Sequence, residues 1–460
     1  MKSARATAIF LLVLDIVTAV VVFNAISYLH FRGMGMASHL FISDLALPIG
    51  AMVLSIFLIE GYETRIDMLS PDYTSQHTIA LIGSMLATLL FTFVFIPAGY
   101  ELQSSRGVIA LSFVTLIPLT LGYRRIIYPR VFGSRGAHCL VFLGDRPDCD
   151  AFQAECQKMG MVQRIVFTAV SEDSAGPAGT NEADRLRSIQ EVLDDVQQGR
   201  LMVEAIVLRE SAQELPSAIS RRLVELYFGG VPTYTLELFH QVYWRKIPLY
   251  RVNQTWLFQE GFQIAREPVF ERLKRASDIA FSALGLLLAC PFILLSALAV
   301  WLGDRGPVFF FQTRIGKNHQ PFRLVKLRTM RIDPVDGDLY TQPDDPRITR
   351  IGRFLRASRL DELPQLWNVL RGDMSLIGPR AEWDRLVASY EREIPCYYFR
   401  HLVKPGITGW AQVNYPYGAN LEDTLRKLEY DLYYIRHFSF RLDAAIILKT
   451  IHIMLFGKGR

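Results

Sequence analysis

Two adjacent carboxylates, Asp361 and Glu362, lie in a stretch rich in arginines, between Arg359 and Arg371. Pro364 is tolerated in the first turn of a helix and disfavours helical angles at the residue before it, so a helix is predicted to begin near Pro364. The acidic pair then lies at or just before the helix N-terminus, where free N–H groups and the helix dipole favour an anion such as a phosphate. Such a pair suits a nucleophile and a metal ligand that handle phosphoryl groups. The alternative is a solvated acidic pair that balances its basic neighbours.

Turns containing glycine and proline surround this pair in the sequence. Residues 372–380 end in Gly-Pro-Arg, a turn that can present Arg380 to a phosphate in a fixed geometry. Residues 404–412 form a second turn-rich segment, and Lys326 and Arg328 lie along a predicted strand or helix start. For any single cation the alternative is a surface or lipid-headgroup contact. The density of such turns among charged residues favours a binding site.

The totals of the chain narrow the class of protein. Its 460 residues leave room for two or three domains, and the net charge of +5 with a pI near 8.9 suits anionic partners such as lipid headgroups or nucleotide phosphates. No lysine-rich arm indicates nucleic acid. The five cysteines are scattered without C-x-x-C spacing, which argues against disulfides and against a zinc site. Reduced thiols in a cytosol-facing protein fit best.

Four apolar runs in the first 135 residues predict transmembrane helices, at 8–28, 39–59, 78–98 and 107–121. Four arginines follow the last run and indicate its cytoplasmic end: Arg124, Arg125, Arg130 and Arg135. Four spans place both ends of the bundle on the cytoplasmic side. Asp15 and Asp44 lie within spans, where an ionisable residue is a functional candidate, but their positions near span ends favour packing or topology roles.

Residues 136–265 read as a Rossmann-like cytosolic α/β domain. Predicted strands at 139–143, 161–170 and 204–208 alternate with predicted helices at 149–159, 189–198 and 215–228, a pattern typical of a parallel sheet. The first strand ends in Gly144-Asp145-Arg146-Pro147, which lacks the G-x-G-x-x-G fingerprint of dinucleotide sites. The predicted fold alone therefore does not indicate a function for this domain. Residues 231–266 read as a connector.

A further apolar run covers about 276–302 and is interrupted by Cys290-Pro291. Pro291 removes a backbone hydrogen bond and predicts a break in a helix. A straight span would place Asp361 outside the cell, away from nucleotide-activated substrates. We therefore favour a re-entrant hairpin that enters and leaves the membrane on the cytosolic face, although hydropathy alone would give a span.

Four segments in order resemble the bacterial sugar transferases known as polyisoprenyl-phosphate hexose-1-phosphate transferases, or monotopic phosphoglycosyl transferases. The resemblance covers about 270–460 and is carried by residues 326–330 (KLRTM), 360–368 (LDELPQLWN), 372–380 (GDMSLIGPR) and 404–413 (KPGITGWAQV). The N-terminal bundle and the Rossmann-like domain are similar to the long forms of the family. Residues 415–419, 430–435 and 457–458 are similar to the subgroup associated with PEP-CTERM exopolysaccharide systems.

The resemblance implies a reaction and roles for named residues. Asp361 would attack the β-phosphate of a UDP-sugar, release UMP and form a phosphosugar–aspartyl intermediate. Polyprenyl (undecaprenyl) phosphate would then take the sugar-1-phosphate, giving a polyprenyl-diphosphate-sugar, the initiating step of exopolysaccharide or related glycan synthesis. Glu362 would orient the site and, with Asp361, hold Mg²⁺. The implied phosphate-binding residues are Arg380, Lys326, Arg328 and Arg353.

The implied architecture is a membrane α plus α/β protein of the bacterial inner membrane, with its catalytic domain facing the cytoplasm. The predicted parts are a four-helix transmembrane bundle (1–135), the Rossmann-like domain (136–265) and an α-rich catalytic domain (266–460) with the re-entrant hairpin near 276–302. Expected partners are a UDP-sugar, polyprenyl phosphate and membrane lipid but no nucleic acid, and a homodimer is left open. Cys290 stands where the family has a serine, and Ala381 where a proline is usual, which predicts a looser turn after Arg380.

Two other readings remain at this point. One is a non-catalytic membrane scaffold of a glycan-assembly complex, with a structural acidic pair. The other is a membrane-bound NAD-dependent sugar-modifying enzyme acting through the middle domain, against which the missing glycine fingerprint and the lack of a Tyr-x-x-x-Lys pair both count. A scaffold should tolerate Asp361→Asn, whereas the transferase should lose turnover. No motif indicates which sugar is carried.

Overall fold

A computed structural model describes most of the chain as two compact units, Met1–Trp244 and Arg245–Arg460. The described residues are 2–32, 40, 43–63, 68–96, 102, 105–132, 138–161, 163–169, 186–209, 215–249, 268–331, 345–415, 418 and 420–456. The domain boundaries predicted at 135/136 and 265/266 stay predictions.

Apolar helices make up the first part of the N-terminal unit. They are α1 (Lys2–Arg32), α2 (Ala46–Leu58), α3 (Pro71–Leu90), which a π-helical turn Phe91–Phe95 extends, and α4 (Arg106–Phe132). Their inner faces form one core that includes Phe23, Met52, Leu81 and Phe113. Large apolar side chains also cover the outside of α1, where Ile9, Val13, Val17 and Val21 are all exposed. Helices that are apolar all round are typical of a membrane.

Three of these helices are long and apolar enough to cross a membrane, at Ala6–Arg32, Pro71–Phe95 and Arg106–Tyr128. The prediction of a full span at 39–59 is wrong in extent, because α2 begins at Ala46 and has only 13 residues. That length rises about 20 Å against a hydrocarbon core of about 30 Å. Pro48 cannot donate a backbone hydrogen bond, so it falls in the first turn of the helix. Positions 39, 41, 42, 97 and 98 of the predicted spans lie outside the described residues.

Asp15 joins two of these helices as a packing residue. Its fully buried carboxylate on α1 accepts two hydrogen bonds from Arg124 on α4, from Nη1 at 2.7 Å and Nη2 at 2.6 Å. The hydroxyls of Tyr62, at 2.7 Å, and Tyr123 also donate to it. A buried charge that is paired and hydrogen-bonded is satisfied, which agrees with the predicted packing role. Asp44 lies in the turn before α2 and not within a helix as predicted.

The rest of the N-terminal unit is a parallel sheet of five strands in the order β3-β2-β1-β4-β5 with helices between the strands. Its elements are β1 (Cys139–Leu143), α5 (Arg146–Lys158), β2 (Ile165–Ala169), β3 (Arg187–Ser188), α6 (Ile189–Gln197), β4 (Val203–Leu208), α7 (Ser217–Phe228), β5 (Thr233–Thr235) and α8 (Leu236–Phe239), which a π-helical turn His240–Trp244 follows. The three predicted strands and three predicted helices are confirmed. The predicted connector 231–266 is wrong at its start, because β5 is an edge strand of the sheet.

The C-terminal unit is mostly helical, with two small sheets. Its elements are α9 (Pro268–Asp304), β6 (Phe309–Ile315), β7 (Pro321–Leu327), α10 (Arg350–Ser358), α11 (Gln365–Arg371), β8 (Ser375–Ile377), α12 (Asp384–Glu393), β9 (Gly406–Thr408), α13 (Trp410–Asn414), α14 (Leu421–Arg436) and α15 (Phe440–Phe456). The strands β6 and β7 form an antiparallel hairpin, and β8 pairs with β9 in parallel. Buried aromatic residues such as Tyr397, Trp410 and Tyr434 fill the main core, against which Ile247 also packs.

The long helix α9 runs through Pro291 as one described helix with Pro291 inside it, and the kink and re-entrant break predicted there stay predictions. Near its start, Arg275 donates to the carbonyls of Val369 and Leu370 at 2.5 and 2.6 Å. At its last residue, Asp304 forms an ion pair with Arg328. Both ends of α9 therefore contact the same compact unit. Its middle presents exposed apolar side chains: Phe281, Leu284, Leu287, Leu288, Phe292, Leu294, Leu295 and Leu298.

Candidate active site

The two adjacent carboxylates lie in a tight connection between two helices. Helix α10 ends at Ser358, and Arg359 adopts a left-handed conformation (φ 55°, ψ 19°) that turns the chain into a 3₁₀ turn, Leu360–Glu362. Helix α11 follows, with Pro364 as its N-cap residue, so the predicted helix start is confirmed. A left-handed arginine costs about 1–3 kcal/mol, which the surrounding fold must offset.

Asp361 is buried, with 8% of its surface exposed, which argues against a solvated acidic pair. Among the described residues, no side-chain hydrogen bond or ion pair reaches its carboxylate. Burial and the negative charge of Glu362 raise its pKa to about 6, against smaller opposing effects of Lys326 and Arg356. A carboxylate that is desolvated and unpaired is a strong nucleophile and a ready ligand for a cation.

Glu362 is held by three cations. Its carboxylate lies 3.3 Å from Lys326 Nζ, 3.7 Å from Arg359 Nη1 and 3.8 Å from Arg380 Nη2. Burial alone would raise its pKa, but the positive charges of Lys326, Arg380 and Arg359 outweigh burial and lower the pKa to about 2. Glu362 is therefore an anion that fixes two of the predicted phosphate-binding cations beside Asp361.

Lys326 reaches the acidic pair because helix α11 docks on strand β7. The buried side chain of Asn368 accepts a hydrogen bond from Val325 N at 3.0 Å and donates one to Arg323 O at 2.8 Å. Both contacts are to the backbone of the strand that carries Lys326. Asn368 is thus a positioning residue that we did not single out from the sequence. A polar residue among the apolar positions of residues 360–368 is the signal that could have identified it.

Close backbone approach positions Arg380. Strands β8 and β9 pair so that a Cβ on Gly406 would lie 2.1 Å from Gly378 N, and one on Gly409 would lie 2.1 Å from Gly378 O. These glycines leave room for the two turn-rich segments to touch. Residue 380 continues the pairing through a bridge to Gly406, and Arg400 Nη2 donates to its carbonyl at 3.0 Å.

The turn after Arg380 is held in place. Ala381 is buried, and Arg314 Nη1 donates to its carbonyl at 2.9 Å. Hydrogen bonds to the carbonyls of residues 380 and 381 therefore hold the turn in place. The expectation that alanine makes the turn looser than proline would stays a prediction.

The other two predicted phosphate ligands are not brought to the acidic pair. Arg328 is buried, and both its Nη atoms contact Asp304, with Nη1 at 2.7 Å, so it joins the end of α9 to the segment after β7. Arg353 is exposed on α10, and its phosphate-binding role stays a prediction. A further cation that we did not single out is Arg356 on α10, which donates from Nε to Thr329 Oγ1 at 2.9 Å and lowers the pKa of Asp361.

The site combines the buried, unpaired carboxylate of Asp361 with cations that are held in place by their pairing with Glu362. Asp361 and Glu362 are the described residues here whose oxygen atoms could hold a hard divalent cation together with substrate oxygens. Lys326 and Arg380 provide positive charge beside them for phosphate groups. A site of this kind can form and cleave bonds to phosphorus.

Comparison with known proteins gives the family. The bacterial sugar transferase family matches residues 269–457. The UDP-N-acetylgalactosamine-undecaprenyl-phosphate N-acetylgalactosaminephosphotransferase of Aeromonas hydrophila is 37% identical over 58% of this chain and 63% of its own length. The UDP-glucose:undecaprenyl-phosphate glucose-1-phosphate transferase of Escherichia coli (strain K12) is 45% identical over 39% of each chain. The Exopolysaccharide production protein PSS of Rhizobium leguminosarum bv. phaseoli is 44% identical over 41% of this chain and 98% of its own length.

The aligned part of the chain spans less than two thirds of the first two of these relatives. The PEP-CTERM subgroup stays a prediction, and residues 416, 417, 419, 457 and 458 of its segments lie outside the described residues. The match to residues 269–457 contains the acidic pair and every predicted site residue, and the Rhizobium relative is covered almost completely. The chain belongs to the bacterial sugar transferase family.

Proposed function

We propose that the protein transfers a sugar-1-phosphate from a UDP-sugar to polyprenyl phosphate and releases UMP, as the initiating step of exopolysaccharide or related glycan synthesis. The observation that carries the proposal is the buried, unpaired carboxylate of Asp361 beside Glu362, whose own charge is bound by Lys326, Arg359 and Arg380. The names of the relatives from Aeromonas hydrophila and Escherichia coli supply the substrate class.

The mechanism is a double displacement at phosphorus. A carboxylate oxygen of Asp361 forms a bond to the β-phosphorus, and the bond from that phosphorus to the bridging oxygen breaks, so UMP leaves with the electron pair. An oxygen of polyprenyl phosphate then attacks the same phosphorus and displaces Asp361, which returns as a free carboxylate. Lys326 and Arg380 neutralise the phosphate oxygens in both steps, and their pairing with Glu362 holds them in place beforehand.

The donor set fits the predicted Mg²⁺, because Mg²⁺ prefers oxygen ligands and is commonly held by one or two carboxylates together with substrate phosphates. Asp361 and Glu362 would hold it, and the carboxylate of Asp361 is raised in pKa by burial, a cost that a bound cation would relieve. When bound, Mg²⁺ would neutralise charge on the diphosphate oxygens.

We infer that α9 is re-entrant and that both soluble parts face the cytoplasm of a bacterial inner membrane. A straight helix would separate Asp278 from Asp304 by about 39 Å. Yet Asp278 accepts hydrogen bonds from Ser375 Oγ and Leu376 N, both at 3.0 Å, while Asp304 pairs with Arg328 of the same unit. Contacts at both ends of the helix favour a path that returns to one membrane face.

Two exposed aromatic residues support a position of the acidic pair at the membrane interface. Phe354 on α10 and Trp367 on α11 flank the acidic pair in sequence and are 65% and 57% exposed. Tryptophan is enriched at the interface of a membrane, where its amphipathic ring lies at the level of the headgroups. An acidic pair at that depth could meet a water-soluble UDP-sugar from one side and a lipid-linked phosphate from the other.

We further propose that the middle part of the N-terminal unit is a Rossmann-like cytosolic domain. All five strands are parallel, and their order places β1 at the point where the order reverses. The first strand leads directly to Arg146-Pro147 at the start of α5 and not to a glycine-rich turn. This supports a regulatory or assembling role over dinucleotide chemistry.

The test is UMP release by the full-length protein in detergent with Mg²⁺ and polyprenyl phosphate, over a panel of UDP-sugars. We expect release with at least one sugar, loss of release in Asp361→Asn and with a chelator, and normal release in the matched control Asp384→Asn. With a UDP-sugar labelled in its sugar and no polyprenyl phosphate, the label should remain on the wild-type protein alone. UMP release by Asp361→Asn at the wild-type rate would favour the scaffold. So would the absence of UMP release by the wild-type protein from every UDP-sugar of the panel.

A further inference from the structure

A second cluster of possible metal ligands lies outside the acidic pair. His319 Nε2 is 2.7 Å from Glu391 Oε1, and His401 Nε2 is 3.9 Å from the same oxygen. One ligand atom from each of the three residues lies within 4.8 Å of the other two. Among the described residues this is the one group of three or more His, Cys, Asp or Glu side chains with such spacing.

His401 is the member that points to a ligand. It is 95% buried, with 5% of its surface exposed, and its Nε2 has no hydrogen-bond partner in the described part of the chain. A buried polar atom without a partner costs about 1–3 kcal/mol, so such an atom calls for an explanation. The neighbouring Arg400 is not that partner, because its guanidinium is bound by Asp431 at 2.9 Å and by the Tyr397 hydroxyl at 2.5 Å.

We propose that His319, Glu391 and His401 bind one divalent transition-metal ion, for which Zn²⁺ is the best fit. Two imidazoles and one carboxylate form a ligand set that zinc accepts, with a water molecule at the fourth position. Metal–ligand bonds of about 2.0–2.2 Å at tetrahedral angles place ligand atoms roughly 3.3–3.5 Å apart. The two histidine–glutamate separations, 2.7 and 3.9 Å, lie on either side of this value.

The cluster is open to solvent on one side. His319 is 46% exposed and Glu391 is 32% exposed at their side chains, which gives the ion a path from solvent. Nitrogen ligands favour Zn²⁺ over Mg²⁺, so this ion and the one proposed for the acidic pair would not compete.

A bound ion would connect three segments of the C-terminal unit. His319 lies in the turn of the β6–β7 hairpin, Glu391 in α12 and His401 in the 3₁₀ turn Tyr397–Leu402. Asn318 and His319 both have positive φ, at 55° and 60°, and this turn directs the His319 ring to within 4.6 Å of the His401 ring. The β6–β7 hairpin also carries Lys326, so the ion would stabilise the strand that serves the acidic pair.

The cysteine spacing of the sequence argued against a zinc site, but that argument covers only sites built from cysteines. The three residues are separated by 72 and 10 positions and form no short motif. Only the folded chain brings them together. The proposal does not depend on the transferase reaction, because the ion contacts neither Asp361 nor Glu362.

The test uses the full-length protein in detergent after removal of metal by a chelator and dialysis. Zn²⁺ is added, unbound metal is removed on a desalting column, and bound metal is measured by mass spectrometry. We expect one Zn²⁺ per chain, a higher Tm with Zn²⁺ than with Mg²⁺ alone, and visible absorption from tetrahedral Co²⁺ when Co²⁺ replaces Zn²⁺. His319→Ala and Glu391→Gln should each weaken binding at least about tenfold.

The matched control is Glu393→Gln, which changes an exposed carboxylate on the same helix that accepts a hydrogen bond from Ser389 and not from a histidine. It should bind Zn²⁺ as the wild type does. Less than one Zn²⁺ per wild-type chain would overturn the proposal. Binding of Zn²⁺ by His319→Ala and Glu391→Gln with wild-type affinity would also overturn the proposal, since the ion would then be held elsewhere. Both changed side chains are partly exposed, so the fold should tolerate them.

Discussion

At the scale of single residues, the surroundings of the two adjacent carboxylates shift their pKa values in opposite directions. Burial and its neighbour raise the pKa of Asp361 to about 6, whereas three cations lower the pKa of Glu362 to about 2. Two acids with pKa values pushed apart commonly carry different roles in one site. Here Glu362 fixes the cations, and Asp361 is left free to react.

This difference predicts opposite stability effects of two neutral substitutions. The raised pKa of Asp361 means that its ionisation destabilises the fold at pH values above about 6, so Asp361→Asn should raise Tm at pH 7.5. The lowered pKa of Glu362 means that its charge stabilises the fold above the unfolded pKa of 4.5, so Glu362→Gln should lower Tm there. Each shift of about two pKa units corresponds to about 3 kcal/mol.

The measurement is thermal unfolding of both variants and the wild type in detergent, at pH 7.5 and pH 4. The gain in Asp361→Asn should shrink toward pH 4, because the wild-type carboxyl is then protonated in the fold. The loss in Glu362→Gln should shrink only as the pH falls below 4.5 toward 2. A loss of stability in Asp361→Asn at pH 7.5 would contradict the described burial of an unpaired carboxylate.

The sequence could predict which residues form the site better than it could predict their partners. Asp361 and Glu362 are adjacent in a recognisable segment, but Lys326 lies 36 positions from Glu362 and meets it only through the fold. Lys326 and Arg328 are two positions apart and would share a face of a continuing strand. Strand β7 ends at Leu327, so Arg328 leaves that face and pairs with Asp304 instead.

At the scale of secondary-structure elements, amphipathic helices and buried strands were predictable, and very short elements were not. The strand β1, with five buried residues, was predicted with its observed bounds. The strands β3, β5, β8 and β9 have two or three residues each and show no alternation that a pattern could detect. Helix α2 was predicted too long, because hydropathy does not register that Pro48 must lie in the first turn of a helix.

The pairing of β8 with β9 predicts that Gly406 cannot carry a side chain. In Gly406→Ala the new Cβ would lie 2.1 Å from Gly378 N and 2.5 Å from Thr408 O, both backbone atoms that cannot rotate away. The two strands would have to separate, which costs about 3 kcal/mol or more and displaces Arg380. We expect a lower Tm and a UMP-release rate reduced at least tenfold.

The matched control is Gly285→Ala, in which the new Cβ would lie 3.4 Å from a Leu366 methyl group, an ordinary contact. Alanine is also favoured over glycine inside a helix such as α9. This variant should keep wild-type Tm and activity. Equal behaviour of the two variants would show that close approach at Gly406 does not position Arg380.

At the scale of the whole molecule, the path of α9 through the membrane determines on which side the acidic pair lies and which substrates it can meet. Hydropathy alone gives α9 as a span, since Val269–Asp304 is long and apolar enough to cross. Contacts at its two ends favour the proposed re-entrant path instead, because Arg275 and Asp304 both bind residues of the C-terminal unit. The alternative topologies differ in where they put the two ends.

The proposed re-entrant path predicts that single cysteines on either side of the apolar middle of α9 react from the same side of the membrane. Arg272→Cys and Pro307→Cys change exposed residues on either side of the apolar middle of α9, the first in its opening turns and the second just after its end, in a background without the thiols of Cys290 and Cys396. A membrane-impermeant maleimide should label both in inverted vesicles and neither in intact spheroplasts. Leu287→Cys, in the exposed apolar middle, should stay unlabelled in both because it lies in lipid. Labelling of the two flanking positions from opposite sides would establish a span and place Asp361 across the membrane from Arg272.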